Sequence, residues 1–181
     1  MTQRWIVTAL GQDRPGIVAG VTKVLYSLGC NLEDSAMTRL EGEFTIMLIF
    51  SSAATASEAR LRAAFAPLQR RLGLAIHLKR LTRQETGAPH TRGAPHRISV
   101  YGADRPGIVF RVAELLARTG VNITDVHTHR SAGRAPSLYL LLLEVELPSR
   151  VTSGALERKL KQLGQRLAVQ VSVQPSGADV L

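Results

Sequence analysis

The chain has 181 residues, 45% hydrophobic, 4% aromatic and 20% charged, with a formal net charge of +9 at pH 7. This composition is ordinary for a globular protein of one large or two small domains. It leaves no room for a transmembrane helix, because the longest apolar runs, around 44–50 and 138–143, fall far short of the roughly 18 residues a bilayer demands. The N-terminal apolar run 5–10 lacks the length and cleavage site of a signal peptide. Cys30, the single cysteine, cannot close an intrachain disulfide or build a thiolate metal cage. A reducing, cytoplasmic location is therefore expected.

Basic charge alone does not define a partner. Residues 1–86 carry 11 basic and 7 acidic side chains and residues 87–181 carry 12 and 7, so neither half is a basic tail. The low aromatic content also leaves few platforms for stacking bases.

Taken in chain order, Trp5 to Leu10 is a short β-prone run ending at Gly11. Pro15 sits where a first helical residue tolerates proline. Ile17, Val18, Val21, Val24, Leu25 and Leu28 then recur with helical spacing. Gly29 marks the helix end, where a left-handed cap costs least. A polar strand, 31–39, a turn at Glu41-Gly42 and a strongly apolar strand, 43–50, follow. Thr55 and Glu58 form a capping-box pattern for a second helix carrying Leu61, Phe65, Leu68 and Leu72, which Pro67 is expected to kink or divide. Leu74, Ile76 and Leu78 alternate with Ala75, His77 and Lys79 as a closing strand.

The same order begins again 91 residues later. Gly11, Asp13, Arg14, Pro15, Gly16, Ile17, Val18, Val21, Leu25, Gly29, Asn31, Asp34 and Arg39 all recur at this offset, 13 matches in 29 ungapped positions. The second copy runs through a strand at 98–101, a helix from Ile108 ending at Gly120, strands 122–130 and 137–145 joined at 132–134, a helix with Val151, Leu156, Leu160, Leu163 and Leu167, and a closing strand at 169–173. Between the copies lies a Gly-Ala-Pro-His repeat without hydrophobic periodicity. The expected organisation is a domain at 1–84, a linker at 85–96, a second domain at 97–175 and a tail at 176–181. The order β-α-β-β-α-β, twice, gives an α+β fold class of two ferredoxin-like units, each a four-stranded antiparallel sheet with two helices on one face. The central apolar strands need cover on both faces, so domain packing or dimerisation is expected.

The repeated Gly-x-Asp-Arg-Pro-Gly-Ile-Val at a strand-to-helix junction is the informative motif. Unpaired amides and the helix dipole favour an anion there, and Gly16 and Gly107 allow a small ligand near the main chain. Ile17 and Val18 stand where a P-loop needs Lys and Ser/Thr, which argues against nucleotide hydrolysis. Asp13 and Asp104 disfavour a phosphate and suit a zwitterion, whose carboxylate meets backbone donors and whose ammonium meets the acid, with Asn31 or Asn122 adding a hydrogen bond. The alternative is structural: Asp13 complements the helix dipole, Pro15 starts the helix and Asn31 fills a turn.

Two Asp-Arg-Pro-Gly-Ile-Val copies, each followed by an apolar helix and Gly-x-Asn-(Leu/Ile)-x-Asp, resemble tandem ACT domains, the ligand-sensing modules of amino-acid metabolism. Two such units alone in a basic chain are most similar to the glycine cleavage system transcriptional repressor group. The resemblance implies a non-enzymatic regulator that senses glycine or a similar small amino acid and acts on a DNA-bound transcription factor or another protein. It implies ligand-site positions at Gly11, Asp13, Gly16 and Asn31, and at Gly102, Asp104, Gly107 and Asn122. It also implies sites between paired units, with a homodimer as the expected state. Two alternatives remain open at this level: a ligand-independent interaction module, and a regulatory subunit of an amino-acid or folate enzyme.

Other signals point to no further chemistry. His127 and His129 share a strand face, and His90 and His96 fall in the linker, but no third and fourth ligand is spaced for zinc; no metal and no cofactor are expected. Nothing organises a hydrolase triad. Cys30 reads as a small buried hydrophobe. Arg60, Arg62, Arg70, Arg71, Lys79, Arg80 and Arg83 form the best basic group. No helix-turn-helix, zinc-finger or RNP-type signature accompanies it, so direct sequence-specific DNA binding is not expected.

Overall fold

The structure is a computed structural model and describes residues 2–53, 57–82, 93–131 and 137–176. The chain divides into two compact units between Ala88 and Pro89.

The first unit contains β1 (Thr2–Gln12), α1 (Ile17–Ser27), β2 (Asn31–Leu40), β3 (Glu43–Ala53), α2 (Glu58–Leu72) and β4 (Ala75–Arg80). Its sheet order is β2-β3-β1-β4, and every neighbouring pair is antiparallel. The second unit repeats this with β5 (Ala94–Ala103), α3 (Ile108–Thr119), β6 (Asn122–Arg130), β7 (Leu138–Leu147), α4 (Ser153–Leu167) and β8 (Val169–Pro175), in the order β6-β7-β5-β8. Both are the expected ferredoxin-like sheet with two helices.

Burial alternates along the central strands, as a sheet covered on one face dictates. Trp5, Val7 and Ala9 of β1 and Phe44, Ile46, Leu48 and Phe50 of β3 are buried against Ile17, Val21 and Leu25 of α1 and Leu61, Phe65 and Leu68 of α2. In the second unit Ile98, Val100, Leu141, Leu143 and Val145 meet Ile108, Val112, Leu116, Leu156 and Leu160. The other face is only half-covered in each unit. In the first it carries Ile6 opposite Ile49 and Thr8 opposite Met47; in the second, Arg97 pairs there with Glu144 at 2.6 Å.

The helix ends follow local chemistry. Gly29 (φ 68°) and Gly120 (φ 74°) are both left-handed. In each copy the glycine N–H and the next amide fold back onto helix carbonyls: Gly29 to Tyr26 and Cys30 to Leu25, Gly120 to Ala117 and Val121 to Leu116, each at 3.0 Å. These bonds satisfy carbonyls that the terminus would otherwise orphan. Glu41-Gly42 makes the β2–β3 turn with both residues at positive φ (49° and 97°), the backbone that suits the twist of a two-residue hairpin.

Several local expectations are corrected. The cap of α2 is Ser57, whose hydroxyl accepts from the Arg60 amide at 3.2 Å; Thr55 lies outside the described residues, as do the turn at 132–134, Arg83 and His90. Pro67 does not divide α2, which runs unbroken over Glu58–Leu72. Pro67 and Ala63, whose carbonyl loses its partner, are both exposed, so water can take up the freed acceptor. The strand expected at 98–101 starts earlier, at Ala94, because residues 94–97 pair with 144–147 of β7. Residues 94–96 are therefore strand rather than linker. His96 is buried there, with Nδ1 2.9 Å from the Ala94 carbonyl oxygen.

Candidate functional site

The repeated motif builds the same loop twice. Gly16 has φ 94°, ψ −4° and Gly107 has φ 93°, ψ −3°. These are the angles of the third residue of a type II turn, where glycine is required and the preceding position favours proline. Pro15 and Pro106 therefore sit in the turn, and the helices begin two residues later, at Ile17 and Ile108. This corrects the expectation of a proline at the first helical position. No atom lies within 4 Å of a Cβ placed on Gly16 or Gly107, so backbone conformation, not crowding, demands these glycines and the space above them is open.

A glycine N-cap has no side chain with which to satisfy the first-turn amides, and no acidic residue occupies the first turn of α1 or α3. The amides at the start of α1 adjoin a cleft of about 740 Å³ whose lining includes Asp13, Gly16, Val18, Met37, Arg39 and Phe44. The loop is tied to the neighbouring hairpin by the Asp13 amide, which donates to the Gly42 carbonyl at 2.7 Å. Asp104 donates likewise to Ser137 at 2.9 Å.

The acids of the motif are not alone. Arg39 Nη1 lies 3.3 Å from Asp13 Oδ2, and Arg130 Nη1 lies 3.7 Å from Asp104 Oδ2. Both arginines are well exposed, so the pairs contribute little to stability but place a cation and an anion side by side at each helix N-terminus. Sequence reasoning did not place Arg39 or Arg130 in the site. The signal was present, since both belong to the 91-residue repeat; their approach to the loop depends on strand pairing.

That pairing also separates two other site positions. Arg39 is level with Phe44 and, across β3, with Gly11, whereas Asn31 is level with Ser51 and Arg4 at the opposite end of the sheet. Eight residues of strand put Asn31 about 25 Å from the Asp13 end. Asn122, level with Glu146, is likewise remote from Arg130, level with Tyr139. Within one unit, Asn31 and Asn122 therefore cannot join Asp13 and Asp104 around one small ligand.

Gly11 and Gly102 have a packing role. A Cβ on Gly11 would lie 2.9 Å from Leu74 Cδ2, and one on Gly102 would lie 2.8 Å from Val169 Cγ1 and 3.0 Å from both Ala168 O and Val169 Cα. Two of those three atoms are backbone and cannot swing away. Gly102→Ala is expected to cost about 1–3 kcal/mol as overpacking, read as a lower urea midpoint.

His127 Nε2 lies 2.8 Å from Asp125 Oδ2 on β6. Among the described residues no cluster of three or more His, Cys, Asp or Glu is arranged to hold a metal ion, and no helix is long and apolar enough to cross a membrane. Cys30 packs against the first core; burial pushes its thiol pKa up, with the Arg60 charge opposing. Within the basic group, Arg62 pairs with Glu58 at 2.7 Å.

Comparison with known proteins agrees with this architecture. The ACT domain model matches residues 3–79 and 97–174. The chain is 32% identical over 176 residues to the glycine cleavage system transcriptional repressor of Escherichia coli, covering 93% of this chain and 87% of that protein. It is 38% identical over 74 residues to a UPF0237 protein of Streptococcus mutans, covering 41% of this chain and 84% of the relative. The crystal structure of an unknown protein from Galdieria sulphuraria superposes with a TM-score of 0.80 at 24% identity, over 97% of this chain and 99% of that one. Two ferredoxin-like units, each opening with the same Asp-Arg-Pro-Gly turn and each matched by the same family model, establish that the chain belongs to the ACT domain family.

Proposed function

We propose that the chain is a non-enzymatic regulatory protein that senses a small amino acid, glycine or one of similar size, at its β1–α1 and β5–α3 loops and transmits occupancy through protein contacts. The observation that carries this reading is the Asp–Arg pair beside an uncapped helix N-terminus, present in both copies. A free amino acid carries both charges: its carboxylate suits the first-turn amides and Arg39 or Arg130, and its ammonium suits Asp13 or Asp104. The likeness to the E. coli glycine cleavage system transcriptional repressor supports regulation as the output and a transcription factor as the class of partner. A ligand that prefers one arrangement of the protein shifts the population toward it.

Gly11, Gly16, Gly102 and Gly107 take part by shaping the loops. Asn31 and Asn122 take part in this reading only where a second copy of the chain, as in a homodimer, brings them to the loops. Thermal-shift screening of the folded chain against the free amino acids tests the reading. A ligand at a hundred times its Kd adds about 2.7 kcal/mol, a readily measured rise in Tm. A flat response across the whole panel leaves the ligand-independent interaction module as the better account.

A further inference from the structure

The helical face of the second unit carries a feature apart from these loops. Arg111, Leu115 and Arg118 of α3 and Lys159, Leu163 and Arg166 of α4 have the same i, i+4, i+7 spacing, and the two stripes face each other across a groove of about 400 Å³. The leucines are partly buried and form its floor, while the four cations stand exposed along its rims. One carboxylate enters the groove: Glu114, 2.8 Å from Arg118 and 3.5 Å from Arg111. Among the described residues no ion pair engages Lys159 or Arg166.

Duplication supplies an internal comparison. The first unit has a groove at the equivalent positions, lined by Gly20, Val24 and Ser27 of α1 and Ala64, Leu68 and Arg71 of α2. The apolar floor is retained, Val24 for Leu115 and Leu68 for Leu163. Three rim cations are not: glycine, serine and alanine stand for Arg111, Arg118 and Lys159, and Lys23 occupies the place of Glu114. The first groove thus keeps two cations, Lys23 and Arg71, and no carboxylate, whereas the second carries four cations in two facing stripes with Glu114 between two of them.

We propose that this groove docks an acidic amphipathic helical segment of a partner protein, whose apolar side chains enter over Leu115 and Leu163 and whose carboxylates meet the flanking cations. Charge complementarity selects the occupant. A second copy of a chain carrying +9 is repelled by a cationic rim, and a nucleic acid has no use for the leucine floor and finds no aromatic lining on which to stack a base. Each stripe spans about 10 Å, two helical turns, so a short segment suffices. The proposal is independent of amino-acid binding at the loops.

The test uses the full chain and a fluorescein-labelled peptide of roughly 16 residues with leucine at i, i+4 and i+7 and glutamate around it. Its controls are a peptide with serine for leucine and a DNA duplex of similar length. The leucine–glutamate peptide is expected to bind, to weaken as salt screens the rim, and to bind at least about tenfold less tightly to Lys159→Glu, Arg166→Glu. If that variant loses its circular dichroism signal, Arg118→Ser with Lys159→Ala, which copies residues of the first unit, serves in its place. The proposal is overturned by absence of peptide binding, by equal binding of the serine peptide, by affinity unchanged in folded variants, or by tighter DNA binding that the same substitutions abolish; this last result would assign the groove to nucleic acid.

Discussion

Phe65→Ala is expected to cost the first unit about 3–5 kcal/mol, against a total stability of about 5–15 kcal/mol for an ordinary domain. Phe65 is fully buried and lies on α2 between Leu61 and Leu68, the other two buried residues of that helix. α2 also contains Pro67, which removes one helical hydrogen bond. Burial of this apolar stripe, rather than intrinsic helix propensity, therefore holds α2 to the sheet. Truncating its largest member loses transfer free energy and leaves a cavity that its close-packed neighbours fill only in part. Trp5 is the sole tryptophan; it is buried in the same core, and its indole N–H donates to Ser52 Oγ at 3.2 Å. Its fluorescence reports this unit directly, so the expected result is a lower urea midpoint for the Trp5 transition with little change in slope. An unchanged midpoint would contradict the core described above.

Asp13→Ala combined with Asp104→Ala is expected to abolish the response to amino acids while leaving the protein folded. Removing the partner of a charged group forfeits about 1.5–3 kcal/mol, which is about ten- to a hundredfold in affinity at each loop. Without ligand the same substitutions break only the solvent-exposed pairs with Arg39 and Arg130, worth at most about 1 kcal/mol each. A small change in the unliganded Tm together with loss of the ligand-induced rise is the signature of a binding role. Arg39→Ala with Arg130→Ala is expected to act in the same direction, because it removes the cation that faces the ligand carboxylate. Persistence of an amino-acid shift in the aspartate variant, measured by calorimetric titration, would remove these loops from the site.

Much of this molecule is legible without coordinates because its governing chemistry is local. The 91-residue repeat defines two equal units; period-2 and helical patterns within each give β-α-β-β-α-β; and Gly29, Gly120 and Glu41-Gly42 mark chain reversals that require positive φ. The Asp-Arg-Pro-Gly motif, twice, points to the family and to the loop. Where several local solutions compete, residue type alone is a weaker guide. Proline at a helix start fits either the first helical residue or a type II turn, and only the backbone at Gly16 and Gly107 distinguishes them. Ser57, two residues beyond the expected cap, is an equally good acceptor for a helix N-terminus.

Tertiary structure alone decided which residues meet. Asn31 precedes Arg39 on one strand, but strand direction sends Asn31 to the far end of the sheet and brings Arg39 to Asp13. The close approach of the α2–β4 turn to Gly11 is visible only in the folded unit. The rim cations of α3 and α4 are separate charges in the sequence and become one surface when the two helices pack side by side. The physical reason is common to all three. Hydrogen-bonding periodicity and backbone sterics act over a few residues and are written in residue type, whereas proximity between distant segments is set by strand pairing and core packing, which exist only in the folded chain.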